Sequence, residues 1–229
     1  MSDQLPTAHE RVANALAVLA VGLEVPCDII SVHRRHSGKS RPKEFQSLRY
    51  GAFLLAVASL DAFFTTASGW GQNHPGQSLG IRPDRVRGAF DEYAGVPNLQ
   101  RHWRARTRVA SEKFGTTYKR SPWLLLEGNE LRSYLEDLHG ARNVLAHGLD
   151  KSNFQNESGA FHPLKKGGFS IRLMSVEGVI QAIEDIASQT AIAVVGPEVY
   201  LPTWPEPSQT EHGTTGKIPT PYEISTQPA

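Results

Sequence analysis

Leu138-His139-Gly140-Ala141-Arg142-Asn143-Val144-Leu145-Ala146-His147-Gly148 closes a segment of helical periodicity that opens near Asn129. Leu131, Tyr134, Leu135, Leu138 and Leu145 return at three- and four-residue intervals, which puts them on one buried face. Arg142 follows Leu138 by four residues and precedes Leu145 by three. At about 100° per residue it points into that face. A guanidinium keeps its proton, and burying it unpaired costs several kcal/mol. An anion is therefore expected to meet it: a side chain, a partner chain or a ligand. Gly148 is placed to end the helix, with His147 a favourable cation near its C-terminus.

Outward from this stretch the chain reads as helices. Thr7 and Glu10 have capping-box spacing before the apolar run 16–25, which Pro26 is expected to close. Residues 33–43 follow as a basic loop with five Lys or Arg and no acid, Arg34 and Arg35 among them. Residues 44–67 form a core helix with Tyr50, Phe53, Val57, Leu60 and Phe64 on one face and Asp61 at its edge. A carboxylate beside one apolar face and an arginine inside another suggest a pairing, Asp61 orienting Arg142. A loop at 68–83 precedes a short helix over 84–93, for which Asp84 is a candidate cap. A longer helix is expected over 98–114, placing Arg101, Arg104 and Arg108 on one face with His102 and Trp103 nearby.

After Gly148 the alternation of Phe169, Ile171 and Leu173 with Ser170 and Arg172 predicts a small β-hairpin, 160–164 with 169–174, packed on the helices. Ser175 should cap a last helix to about Val195. Seven of the fifteen prolines fall in the last 33 residues. The expectation is one helical domain over 1–196, then a Pro-rich tail over 197–229 that is disordered or lies on the surface, pinned at Tyr200 or Trp204.

Arg142-Asn143, three residues, then His147 resembles the R-x(4–6)-H signature of the HEPN superfamily, where a polar residue often follows the arginine. The sequence of residues 49–63, with Asp61 in its apolar setting, looks like the early helix of that family. The resemblance spans residues 44–195 and is nearest to the RiboL-PSP-type branch. It implies an all-α fold, an antiparallel helical bundle that forms a homodimer with a composite active site. It also implies metal-independent endoribonuclease activity without a cofactor, with Arg142, Asn143 and His147 catalytic.

That chemistry suits the residues. When the 2′-hydroxyl of RNA attacks its own phosphate, the products are a 2′,3′-cyclic phosphate and a 5′-hydroxyl. The reaction needs a base, an acid and positive charge on the transition state. Histidine titrates near neutrality and serves either of the first two roles, and a guanidinium supplies the third through fixed donors. One chain offers one motif histidine, so two motif helices side by side would supply both. Arginines interleaved with aromatics at 101–108, and Arg34 and Arg35, are candidate RNA contacts. Each of these clusters reads equally as a solvated cationic surface.

The balance of 24 Lys and Arg against 23 Asp and Glu does not announce a nucleic-acid binder. This leaves a second reading, a non-catalytic HEPN-like module binding a nucleotide or a protein. A third is a toxin or defence effector masked by an antitoxin or an acidic nucleotidyltransferase-like partner. Cys27 is the only cysteine, which excludes an intrachain disulfide and a Cys-based zinc site and fits a reducing, cytoplasmic setting. His33 and His36 are flanked by cations that repel a metal ion, and no metal site is expected. The runs 13–22 and 51–64 are too short to span a bilayer, and Asp61 interrupts the second, so no membrane is expected.

Overall fold

The computed structural model describes residues 6–35, 44–109, 123–207 and 218–225. It is mostly helical. Helix α1 (Ala8–Arg35) opens at the anticipated capping box: the Glu10 amide donates to Thr7 Oγ1 at 3.2 Å, and the Thr7 amide donates to Glu10 Oε2 at 2.7 Å. Helix α2 (Glu44–Ala67) follows. His33 meets Arg49, Gly22 meets Ser59 and Gly69 meets Arg11, so the two run antiparallel along each other. Both also pack on the long final helix α6 (Leu173–Val195). Trp70–Asn73 (α3) and Pro83–Ala94 (α4) follow α2, and Gly128–Ala146 (α5) packs on it. Phe53, Leu60, Phe64, Trp103, Leu138, Val179 and Ile183 lie in the single core between them.

Pro26 does not close the first helix; it lies buried inside α1. Its ring forfeits one helical hydrogen bond and crowds the carbonyl four residues back, at Gly22. Burial against both α2 and α6 outweighs that cost. Gly22 permits the close approach, since a Cβ there would strike the Ser59 side chain.

Of the helix expected over 98–114, residues 98–109 form no α-helix, and residues 110–114 lie outside the described residues. Asn98 takes a left-handed φ of 59°, Leu99–His102 makes one 3-10 turn, and Arg104–Thr107 is a strand, β1. It pairs antiparallel with β2 (Leu124–Glu127), Arg104 opposite Glu127 and Thr107 opposite Leu124. The outer edge of β1 is satisfied by α6: the Arg104 amide donates to Gln189 at 2.7 Å and the Arg106 amide to Asp185 at 2.8 Å. Side chains of a helix thus take the hydrogen bonds that a third strand would have taken. Ala105 and Thr107 turn into the core, and Thr107 Oγ1 donates to the buried Tyr134 hydroxyl at 2.8 Å.

The second hairpin is present but short. His162–Pro163 (β3) pairs with Phe169–Ser170 (β4), with Gly167 and Gly168 at positive φ in the turn. Helix α6 begins two residues before Ser175, with Arg172 as its N-cap. Asp84 does not cap α4, whose N-cap is Arg82; its carboxylate accepts from Arg132 at 2.6 Å. Of the tail, residues 197–207 lie on the helices. Trp204 packs on the core, Cys27 Sγ donates to the Pro205 carbonyl at 3.2 Å and Arg34 to that of Pro207 at 3.2 Å. Tyr200 is 84% exposed and pins nothing. A further short helix, α7 (Pro221–Ser225), touches β2.

Helices Ala8–Arg35, Phe45–Ala67 and Leu173–Val195 are long and apolar enough to cross a membrane by length and composition. The short runs read from sequence are parts of longer helices, so that length argument against a membrane does not hold. About half or less of α1 and α2, 44% of each window, is buried within the chain, against 61% for α6.

Candidate functional site

Leu131, Tyr134, Leu135, Leu138 and Ala141 anchor α5 in the core. On the flank of that face the buried Asp137 accepts from the Ser158 amide at 2.7 Å and hydroxyl at 2.5 Å, tying the following loop to the helix. Burial raises the Asp137 carboxyl above its ordinary value, against the pull of those two hydrogen bonds. The helix ends as the sequence requires. His147 is the C-cap, its amide donating to Asn143 O at 3.1 Å, and Gly148 turns away at a φ of +63°.

Arg142 does not sit in the core. It and Leu145 are half-buried, because the last turns of α5 rise off the core after Ala141. Arg142 Nη1 donates to Asn143 Oδ1 at 3.1 Å. None of the ion pairs among the described residues involves Arg142. The expected partner is engaged elsewhere. Asp61 accepts from the Gly80 amide at 2.7 Å, from Thr65 Oγ1 at 3.2 Å and from the Ser78 hydroxyl, holding the loop at 78–80. The proposed Asp61–Arg142 pair is thus absent from the single chain. The carboxylate was captured by Thr65 of its own helix and by two donors of the nearer loop.

The group that completes this end of α5 is His139. The amide nitrogen of Asn143 lies 3.1 Å from His139 Nε2. Since a guanidinium only donates, Asn143 must turn its oxygen to Arg142 and its nitrogen to His139. Nε2 is then an acceptor, and the imidazole is the neutral tautomer protonated at Nδ1. Burial, then the charge of Arg82, holds the His139 pKa below its ordinary value, which agrees with that assignment. Arg82 itself lies 3.8 Å from Glu136. Sequence reading missed His139, although its spacing four residues before Asn143 was the available signal. His147, another four residues on, is exposed.

The candidate RNA-binding arginines separate into two groups. Arg34 and Arg108 clasp the two carboxylate oxygens of Glu177 at 3.0 Å each, with side chains only 11% and 19% exposed. Arg104 pairs with Glu127 at 3.0 Å on the surface. Trp103 is buried, stacked on Phe64 at 5.6 Å, and its indole nitrogen donates to Thr190. The envisaged arginine and aromatic face over 101–108 is therefore broken up: strand alternation sends Trp103, Ala105 and Thr107 inward, and the arginines to carboxylates. Arg35 and Arg101 remain exposed. Residues 36–43 of the first basic cluster lie outside the described residues.

A cavity of about 610 Å³ lies along α5 and is lined by Glu136, Asp137, Asp150 and Glu157 with Gly140 and Phe154. Its acids repel phosphate, so a polyanion reaching Arg142 approaches from elsewhere. Among the described residues no group of three His, Cys, Asp or Glu is placed to hold a metal ion. No protein-family model, curated protein or solved structure matches the chain.

Proposed function

We propose that the chain is a HEPN-like, metal-independent endoribonuclease acting at the C-terminal end of α5. The observation that supports this reading is the Arg142 guanidinium. It is half-buried, held by Asn143, and meets no carboxylate among the described residues, while His147 stands exposed one turn beyond Asn143. A cation left without a counter-charge on a structured helix end suits an anionic ligand.

In this mechanism a neutral His147 takes the proton of the 2′-hydroxyl as the 2′-oxygen bonds to phosphorus. The bond from phosphorus to the 5′-oxygen breaks, and a protonated His147 from a second copy gives the leaving oxygen its proton. Arg142 stabilises the charge on the equatorial oxygens. Asn143 becomes a positioning residue, since its amide is already shared between Arg142 and His139. His139 in turn orients Asn143. RNA and a second copy are the partners the reaction requires, and an antitoxin or nucleotidyltransferase-like protein would mask the same end of α5.

A second reading has its own observation. Arg34, Arg104 and Arg108 are spent on carboxylates, which leaves few cations to track an RNA backbone. That favours a non-catalytic module binding a nucleotide or a protein. Incubation of the protein and its His147→Ala variant with total RNA and tRNA in EDTA separates the two. New cyclic-phosphate ends in the wild type alone support the nuclease; none from a folded protein supports the module.

A further inference from the structure

Between the start of α1, the end of α2 and α3 lies a cavity of about 510 Å³, within the about 300–1,000 Å³ typical of small-molecule sites. Arg11 lines it. Its Nη1 donates to the Pro6 carbonyl at 3.0 Å, and the guanidinium lies against Gly69, where a Cβ would come within 3.4 Å of Nε. Nε is buried and has no acceptor. Arg11 takes part in none of the ion pairs among the described residues. Two backbone contacts thus fix the plane of a cation that no carboxylate neutralises.

The other walls are polar. Asn14, Thr66 and Gln72, one each from α1, α2 and α3, line the cavity, and their side chains have no hydrogen-bond partner among the described residues. Thr66 differs in this from its neighbours. Ser59 and Ser68 turn their hydroxyls onto carbonyls four residues back, at 2.9 and 2.7 Å. The Thr65 hydroxyl donates to Asp61 and accepts from the Leu79 amide. Only the Thr66 hydroxyl is left to the cavity. The one acid in the lining, Glu10, turns Oε2 to the Thr7 amide and hydroxyl. The positive end of α1 and the negative end of α2 meet here and offset each other, so the selecting charge is that of Arg11. The third wall is held in place: Asn73 donates to the Gly69 carbonyl at 2.9 Å, and Trp70 stacks on His74 at 3.8 Å.

We propose that this cavity binds a small hydroxylated oxyanion, a sugar acid or a sugar phosphate, with its anionic group on Arg11 and its hydroxyls on Asn14, Thr66 and Gln72. A guanidinium takes two oxygens of one carboxylate or phosphate through parallel N–H donors. Amides and hydroxyls each donate and accept, as the hydroxyls of a sugar do. No aromatic side chain lines the cavity, so a nucleobase finds nothing to stack on. The site uses none of the α5 motif residues and does not depend on the nuclease reading.

The test is isothermal titration calorimetry of the full chain with D-gluconate, D-glucose 6-phosphate, inorganic phosphate and D-glucose, beside Arg11→Gln and Thr66→Val. Saturable one-to-one binding of gluconate or glucose 6-phosphate, weakened at least about 10-fold by Arg11→Gln and less by Thr66→Val, supports the proposal. Which of the two binds assigns the anionic group as carboxylate or phosphate. Circular dichroism checks that the variants fold. Thr66→Val keeps the shape of the side chain and every contact of Arg11, so it carries the test if Arg11→Gln does not fold. No saturable binding of either sugar anion up to about 10 mM overturns the proposal. So does binding that both variants leave unchanged, which places the anion elsewhere. Equal affinity for D-glucose, which needs no cation, or for inorganic phosphate, which has no sugar hydroxyls, overturns it as well.

Discussion

The amide nitrogen of Asn143 donates to Nε2 of His139, 3.1 Å away and one helical turn earlier. That bond decides how the other end of Asn143 faces, and so how Arg142 is held. A guanidinium on an exposed helix end would otherwise sample many rotamers. Here it is aligned by a neutral imidazole acting through an amide.

On the proposed nuclease reading, Arg142→Ala is expected to lower the rate of RNA cleavage by about 10²–10³-fold, the scale for loss of one preorganised charge-stabilising donor. Arg142→Lys should recover only part of it, since an ammonium lacks the planar fork. Thermal melting should move little in either, because Arg142 makes no ion pair among the described residues. A large fall in melting temperature would show instead a structural role.

The His139 bond gives a pH dependence of stability. Its folded pKa lies below the ordinary 6.5, so the folded state prefers the neutral ring. The unfolded chain therefore binds the proton first on acidification. The contribution is complete above about pH 6.5 and is lost as pH falls through the lower folded value. Protonated Nε2 would also point a donor at the Asn143 donor. His139→Leu should flatten this part of the acid limb in thermal melts, by less than about 1 kcal/mol given the half exposure of the ring.

Glu184 acts in the opposite direction. Burial first, and then the charge of Asp185, push its carboxyl from 4.5 to about 8. Folding favours the protonated acid, so its contribution is complete below about pH 4.5 and is lost as pH rises through about 8. Glu184→Gln should stabilise the protein by on the order of 1–2 kcal/mol above pH 8 and by little near pH 5. Chemical denaturation at both pH values measures the difference.

Asp185 accepts the Arg106 amide at 2.8 Å, Nε at 2.9 Å and Nη2 at 2.5 Å, joining β1 to α6. Asp185→Ala strands a strand-edge amide and a largely buried guanidinium together. A loss of about 3 kcal/mol is expected in urea unfolding, with Asp185→Asn losing less because it keeps an acceptor.

Gly178 sits where α6 crosses the end of β1. A Cβ there would overlap the backbone nitrogen of Arg108 and Thr107 Oγ1. Backbone does not yield as a flexible side chain does. Gly178→Ala is therefore expected to destabilise by about 2 kcal/mol despite alanine's better helix propensity, read as a lower melting temperature.

Local patterns were legible wherever the deciding signal was the spacing of residues within one helix. The capping box at Thr7, the core face of α2, the end of α5 at Gly148 and the buried side of α6 all follow from spacing. The region 98–109 was not legible, because four basic residues and a tryptophan suit an amphipathic helix as well as a strand. What decided it was Asp185 and Gln189, some 80 residues later, offering acceptors to alternate amides.

The same division holds at the candidate site. The sequence by itself determined that Arg142, Asn143 and His147 lie at one end of an amphipathic helix, since helical period and a terminal glycine are local properties. Only the tertiary structure decided their partners. Asp61 was within reach in principle, but Ser78 and the Gly80 amide in the next loop took its lone pairs. His139 took the Asn143 amide, and Glu177 took Arg34 and Arg108. A charged group pairs with whatever opposite or donor group packing brings within about 3 Å, and that proximity is set by the whole chain.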